Sequence, residues 1–192
     1  MNDFTFYFNL GWHHIINWDA LDHLMFIIAL TAIYLIGNWK QVLVLVTAFT
    51  IGHSLTLALS VYDVIRFKSD WVEFLIPLTI VVTALANLFQ KNFQPKALRL
   101  NYFLALLFGL IHGMGFANSI RFMLAKQQHI AVPLLGFNIG LEVGQILVVL
   151  IILLTSFIVV NKAVLPRKWW IFILSGTALS IASYMCIQRW PL

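Results

Sequence analysis

Residues 146–160 read ILVVLIILLTSFIVV, fifteen consecutive residues without a charge. They belong to a longer apolar run over about 132–160, which exceeds the roughly 20 residues that a helix needs to cross a bilayer. This stretch therefore predicts a transmembrane helix. Because the run is longer than a straight crossing requires, we expect it to tilt or to begin with a broken turn near Gly136 and Gly140.

The rest of the chain is also rich in apolar residues and poor in charged ones. Of its 192 residues, 61% are hydrophobic and 10% are charged, against about 45–50% and about 25% in soluble domains. A chain of this size cannot bury so much apolar surface internally, so the excess must face lipid. Residues 1–192 are predicted to form a single transmembrane domain. The predicted spans are 20–37, 40–60, 71–89, 100–118, 132–160 and 168–187, with polar loops between them that include 119–130.

Residues 1–18 differ from these spans, because they mix six aromatic side chains with polar ones. Amphipathic rings favour the head-group region, which indicates an interfacial or re-entrant segment. The segment lacks a basic start and a small-residue cleavage site, so we expect no cleaved signal peptide. The predicted fold is thus an all-α integral membrane protein with about six transmembrane helices.

The net charge of +5 and the pI of about 9.6 would raise nucleic acid as a partner of a soluble protein. Here the basic residues lie in short gaps between apolar runs, so we expect contact with lipid head groups and no nucleic-acid binding. Their distribution favours both termini outside the cytoplasm by a small margin. The single cysteine, Cys186, excludes an intrachain disulfide and a cysteine-rich metal site. The sequence is compatible with a homo-oligomer as well as with a monomer.

The first predicted helix carries ionisable residues close to membrane depth, where each costs about 2.5–3.5 kcal/mol on insertion scales. Asp19, Asp22 and His23 share one face through their i, i+3, i+4 spacing. His14 can fold back onto that face from the preceding segment. Imidazole and carboxylate ligands together suit zinc, nickel or cobalt. The alternative is that Asp19 and Asp22 only cap a helix start.

The second predicted helix has a largely polar face formed by Thr50, His53, Ser54 and Leu57. His53 lies near the middle of the helix, where it binds either a hydrogen-bond partner or a metal ion. Gly52 allows another helix to approach closely.

The fourth and fifth predicted helices add further candidates. Glycines flank His112, which gives a smooth packing groove around that histidine. Asn138, Glu142 and Gln145 form a polar stripe at i, i+4, i+7. A charged Glu142 at this depth must meet a cation, which would make it functional. The alternative is a Glu142 that is neutralised by protonation and hydrogen-bonded within the bundle.

Glu73, at the start of the third predicted helix, is a weaker candidate, because the helix dipole already explains an acid there. Histidines and acids from four helices could converge within the bilayer. Such a constellation without cysteine fits metal binding, and it also fits a proton relay.

At these residues the chain resembles the HupE/UreJ family of bacterial membrane proteins, over nearly its whole length and in order. The matching elements are His14 with Asp22-His23-Leu24-Met25-Phe26, then Thr47-Ala48-Phe49-Thr50-Ile51-Gly52-His53-Ser54, then Phe108-Gly109-Leu110-Ile111-His112-Gly113-Met114-Gly115-Phe116, and finally Phe137-Asn138-Ile139-Gly140-Leu141-Glu142-Val143-Gly144-Gln145.

The resemblance implies uptake of nickel or cobalt by a multi-pass protein of the bacterial inner membrane. On that hypothesis Glu142 supplies compensating charge or takes up protons, and Asn138 and Gln145 orient it. A carboxylate/imidazole site without thiolate releases its ion readily. The alternatives are a membrane-embedded zinc hydrolase that uses the same cluster, and a metal-binding accessory or sensor protein. The expected metal site consists of His14, Asp22, His23, His53, His112 and Glu142.

Overall fold

The computed structural model describes residues 3–17, 20–90, 98–124, 130–162 and 165–191. These residues are mostly helical, without a strand, which confirms the predicted all-α class. A 3-10 turn at Ile36–Asn38 leads into the third helix, and a π-helical turn at Phe157–Lys162 extends the sixth. The α-helices are α1 Asp3–Ile16, α2 Leu21–Thr31, α3 Trp39–Val61, α4 Ser69–Phe89, α5 Leu98–Leu124, α6 Ala131–Ser156 and α7 Arg167–Gln188.

Four helical segments in the described part of the chain are long and apolar enough to cross a membrane. Two shorter apolar helices are also present, Leu21–Thr31 and Asn101–Ala117. Large apolar side chains on their outer faces are exposed, which water would disfavour and lipid accepts. The chain is therefore a membrane protein. The four long segments are Ile36–Val61, Ser69–Phe89, Ala131–Lys162 and Arg167–Gln188.

Two predicted boundaries differ from the structure. The first predicted span, 20–37, is not one helix, because α2 ends at Thr31 and a turn follows. The Ala29 carbonyl accepts from the Asn87 amide at 2.7 Å, and the Thr31 carbonyl accepts from the Tyr34 backbone N–H at 2.9 Å, so carbonyls left open by the end of this helix have partners. The predicted loop 119–130 is wrong for its first residues, because α5 continues to Leu124.

The N-terminal helix α1 packs along the first half of α6. Gly136 faces the backbone of Phe4, Gly140 faces that of Phe8, and Gly144 contacts Ile15. Because both series of numbers increase together, the two helices are parallel. An added Cβ at Gly140 would overlap the Phe8 carbonyl, so these glycines allow the contact. α6 stays continuous through them, and the broken turn expected there does not occur.

A second glycine-packed pair consists of α3 and α5. Gly52 faces the backbone at Leu106 and Leu110, and Gly113 faces that of His53. The Thr56 hydroxyl donates to the Leu110 carbonyl at 2.8 Å. This pair is also parallel, but it runs opposite to α1 and α6. The prediction that Gly52 and the glycines beside His112 allow close helix approach is confirmed.

The remaining long helices, α4 and α7, are antiparallel. The rings of Phe74, near the start of α4, and Trp190, just beyond α7, lie 5.1 Å apart. Near the other end of α4, the Asn87 amide donates to Ser175 on α7 and to the Ala29 carbonyl on α2 at 2.7 Å. We call the end of the bundle where α4 and α6 begin end A, and the opposite end B.

The turn after α3 closes end A. Asp63 adopts a positive φ of 60°, and its carboxylate pairs with Arg66 and with Arg121 from α5. The hydrogen bond from Arg66 holds the pKa of the Asp63 carboxyl below its usual value. Arg121 also donates to the Ser60 carbonyl, so the last turn of α5 is tied to the end of α3.

Candidate metal centre

Three histidines from three different helices meet inside the bundle. His14 lies near the end of α1, His23 in the first turn of α2, and His53 in α3. Each offers a ring nitrogen, and the three nitrogens lie within 4.8 Å of one another. The ring centroids are 4.6 Å apart for His14 and His23, and 6.0 Å apart for His23 and His53. A single ion can reach all three.

Ring nitrogens of all three are buried without hydrogen-bond partners in the described part of the chain. This holds for Nε2 of His14, Nε2 of His23 and both ring nitrogens of His53. A buried polar atom without a partner costs about 1–3 kcal/mol, and most such atoms in proteins are satisfied. One nitrogen of each neutral imidazole carries hydrogen, so each of the three rings can present one lone pair, which indicates a site for a ligand that accepts nitrogen lone pairs.

Asp22 orients the second of these rings. His23 Nδ1 lies 3.0 Å from Asp22 Oδ1, and the His23 backbone N–H donates to the same oxygen at 2.9 Å. With Nδ1 donating to the carboxylate, the lone pair lies on Nε2, which points into the group of three. A carboxylate behind a metal-binding imidazole is a common arrangement that fixes the tautomer and strengthens the ligand. Asp22 thus lies behind His23 rather than among the three.

His112 on α5 lies beside the group, with its ring centroid 5.0 Å from that of His23. The Thr79 hydroxyl donates to the Ile76 carbonyl at 2.7 Å, so its oxygen accepts from His112 Nε2–H at 3.2 Å. This arrangement leaves the lone pair on Nδ1, which is buried and has no partner among the residues that the structure describes. His112 can therefore bind an ion or accept a proton one step from the three histidines.

Aromatic rings enclose the histidines. Phe116 and Phe137 stack at 5.0 Å, and His14 lies 4.3 Å from Phe116. On the other side, the rings of Phe26 and Phe49 lie 5.0 and 5.1 Å from His112. Apolar walls on these sides lower the effective dielectric constant around the rings, which strengthens interactions with charge.

A cavity of about 410 Å³ leads to this site from the direction of end A. Buried His23 and His112 lie at its inner part, and exposed Glu73 lies at its mouth. Glu73 accepts a hydrogen bond from Ser69 at 2.9 Å, which agrees with its predicted place at a helix start. The site is therefore reachable from one end of the bundle.

Arg189 is a site residue that sequence reasoning missed, as is Thr79, which bonds to His112. Arg189 follows the end of α7, lines the cavity, and donates from Nη1 to Asp22 Oδ2 at 3.1 Å. Its position beyond the last apolar run suggested only a loop charge. Arg189 lies 167 positions after Asp22 in the sequence, so no local pattern joins them.

The polar stripe of α6 faces α3 rather than the three histidines. Glu142 Oε1 accepts from the Thr47 hydroxyl at 2.8 Å, and Gln145 Oε1 accepts from Thr50 at the same distance. Glu142 is therefore held on the outer side of the α3–α6 contact.

The other predicted residues have separate environments. Ser54 donates to the Thr50 carbonyl at 2.7 Å, within its own helix. Asn138 Oδ1 is buried and has no partner among the described residues. Asp19 lies outside the described residues.

One family model, described as HupE / UreJ protein, matches residues 1–189. No curated protein matches the chain, and no solved structure does. The family match covers almost every residue, including all the helices that build the histidine site, and the chain therefore belongs to the HupE/UreJ family.

Proposed function

We propose that the chain carries a divalent transition metal, nickel or cobalt, across the bacterial inner membrane. The observation that supports this most is the group of His14, His23 and His53, whose unpaired ring nitrogens lie within 4.8 Å of one another. The HupE/UreJ family is associated with nickel and cobalt uptake, and the donor set suits that cargo.

The imidazole ligands favour binding from which the metal ion can pass to another ligand. Neutral imidazole is a good ligand for nickel, cobalt and zinc, whereas thiolate would hold such ions more tightly. Three imidazoles leave coordination positions open for water from the cavity. An ion bound in this way can be taken over by another ligand, and the free Nδ1 of His112 lies in the next position inward. Glu142 supplies negative charge from the neighbouring α3–α6 contact.

We propose six crossings in total. α1 and α2 both run from end A towards end B, and at 1.5 Å per residue their 14 and 11 residues measure about 21 and 16 Å. In series they form one broken crossing, with the break beside the metal site. Broken helices at ion sites are common in secondary transporters. α3 to α7 complete the count, so both termini lie at end A, which the charge distribution favours as the outer end by a small margin.

Uptake into proteoliposomes tests the function. Purified protein is reconstituted, and entry of radioactive Ni²⁺ or Co²⁺ is followed for wild type, His14→Ala, His53→Ala and the control His13→Ala. His13 is exposed and lines the same cavity, but it lies outside the group of three, so this control tests the ligands and not the cavity. We expect both site variants to lose uptake and the control to retain most of it. Equal uptake by wild type and His53→Ala would refute the proposal.

A zinc hydrolase is the second candidate, because three histidines beside an open cavity are also the ligand set of a catalytic zinc site. The same preparations separate the two functions. One tightly held zinc ion per chain without flux would favour the enzyme. Metal that binds reversibly without flux would favour an accessory or sensor protein.

A further inference from the structure

Both oxygens of the Asp22 carboxylate already have partners. Oδ1 accepts from His23, and Oδ2 accepts from Arg189 at 3.1 Å. The carboxylate could otherwise contribute an oxygen ligand and a full negative charge beside the three histidines. The ion pair with Arg189 is therefore the contact that occupies the oxygen not used by His23.

Arg189 has a fixed backbone and a partly free side chain. Its backbone N–H donates to the Met185 carbonyl at 2.9 Å, which anchors it to the last turn of α7. Its side chain is 31% exposed, whereas that of Asp22 is 12% exposed. A guanidinium stays charged at any pH that a protein meets. The cavity to the histidines therefore contains a permanent positive charge beside a buried carboxylate.

The charges of Asp22 and Arg189 affect how tightly a divalent ion can bind. With Arg189 present, the Asp22 carboxylate and the guanidinium balance, so the ion gains little Coulomb attraction beyond its imidazole ligands. Without Arg189, an uncompensated carboxylate would lie next to His23 in surroundings of low dielectric constant, and an ion would bind more tightly. A transported ion must also leave, so moderate affinity serves transport.

We propose that Arg189 is a positioning residue that keeps Asp22 turned away from the metal and so holds the site at an affinity that allows release. This rests on the proposed transport function, which it extends by naming the residue that sets the affinity. Arg189 contacts no ligand atom of the three histidines in this arrangement. It acts through Asp22, so its effect must disappear when the Asp22 charge is removed.

The test is calorimetric titration of the purified full-length protein with NiCl₂. The variants are Arg189→Gln, Arg189→Lys, Asp22→Asn and the double variant. Arg66→Gln is the control, since Arg66 is an exposed arginine at end A that pairs with Asp63. We expect Arg189→Gln to bind Ni²⁺ at least about tenfold more tightly, which corresponds to about 1.4 kcal/mol. Arg189→Lys keeps the charge and should stay near wild type, as should the control.

The double variant should bind like Asp22→Asn alone, because two residues that act through one contact are not additive. In proteoliposomes, Arg189→Gln should lower both the half-saturating Ni²⁺ concentration and the maximal rate. A merely structural role would lower the maximal rate without tightening binding.

Unchanged or weaker binding by Arg189→Gln would overturn the inference and leave the transport proposal intact, provided that wild type still moves metal. Equal effects of lysine and glutamine would also overturn it. Conversely, tighter binding by Arg189→Gln in a protein that moves no metal would remove the transport function while the role of Arg189 in affinity stands. A wild-type protein that binds no divalent ion would overturn both.

Discussion

Replacing Gly113 by alanine tests whether the histidine site depends on the close approach of α3 and α5. The added Cβ would lie 2.9 Å from the His53 Cα and would overlap the His53 carbonyl oxygen and the Thr56 hydroxyl. Most of these atoms belong to backbone, which cannot turn aside as a long side chain can. The two helices must separate, and His53 must move with α3.

The magnitude follows from the distances. Carbon atoms pack best at about 3.5–4.0 Å, so the 2.9 Å contact is short by about 0.6 Å, and the overlap at the carbonyl oxygen is larger. Overpacking of this kind costs about 1–3 kcal/mol. Alanine also improves helix propensity by about 1 kcal/mol. Gly176→Ala is the matched control, since nothing lies within 4 Å of its added Cβ.

The two variants share the gain in propensity, so their difference in unfolding free energy isolates the packing cost. We expect Gly113→Ala to be about 1–3 kcal/mol less stable than Gly176→Ala. Denaturant unfolding in micelles, followed by fluorescence of the seven tryptophans, measures it. Because His53 moves, Ni²⁺ binding should also weaken by about tenfold or more. A Gly113→Ala protein as stable as Gly176→Ala, with unchanged Ni²⁺ binding, would refute the reasoning.

Three further predictions concern two polar side chains and the effect of bound Ni²⁺ on stability. Glu142→Gln should lower Ni²⁺ affinity far less than His53→Ala in a calorimetric titration, since Glu142 bonds to Thr47 outside the group of three; equal losses would contradict this placement. Thr50→Val should destabilise the fold by about 1–3 kcal/mol in the same unfolding assay, because it leaves the buried oxygen of Gln145 unpaired; a neutral result would mean that the amide finds another donor. Saturating Ni²⁺ at 100 times its dissociation constant should stabilise wild type by about 2.7 kcal/mol over chelator-treated protein, and His53→Ala should abolish this shift.

The sequence predicts most of the helices because apolar length leaves few alternatives. The prediction for α7, 168–187, differs from the observed Arg167–Gln188 by one residue at each end. The glycine contacts of Gly52 and Gly113 were also predictable, since a small residue in a transmembrane helix usually marks a helix contact. The break after Thr31 was not, because the residues that follow it are as apolar as those before.

The sequence singles out the three histidines that the structure brings together, but it does not give their geometry. Spacing along one helix places Asp22 beside His23, and it gives no information about which side chains of other helices share their depth. The α1–α6 contact brings His14 to the site, and that contact depends on glycines about 130 residues away. The direction of the Glu142 stripe depends in the same way on where α3 packs.

Two kinds of contact hold the site together, and they differ in strength. Within α1–α6 and within α3–α5, glycines bring backbone against backbone over several turns, so each pair moves as a unit. Between the pairs, α3 and α6 share the hydrogen bonds of Thr47 to Glu142 and of Thr50 to Gln145. Hydrogen bonds of this kind contribute about 0.5–1.5 kcal/mol each. Since His14 belongs to one pair and His53 to the other, the distance between two of the three nitrogens is set at the weaker contact. The polar stripe of α6 thus acts on the metal site through geometry, by fixing how far apart two rigid pairs hold their histidines.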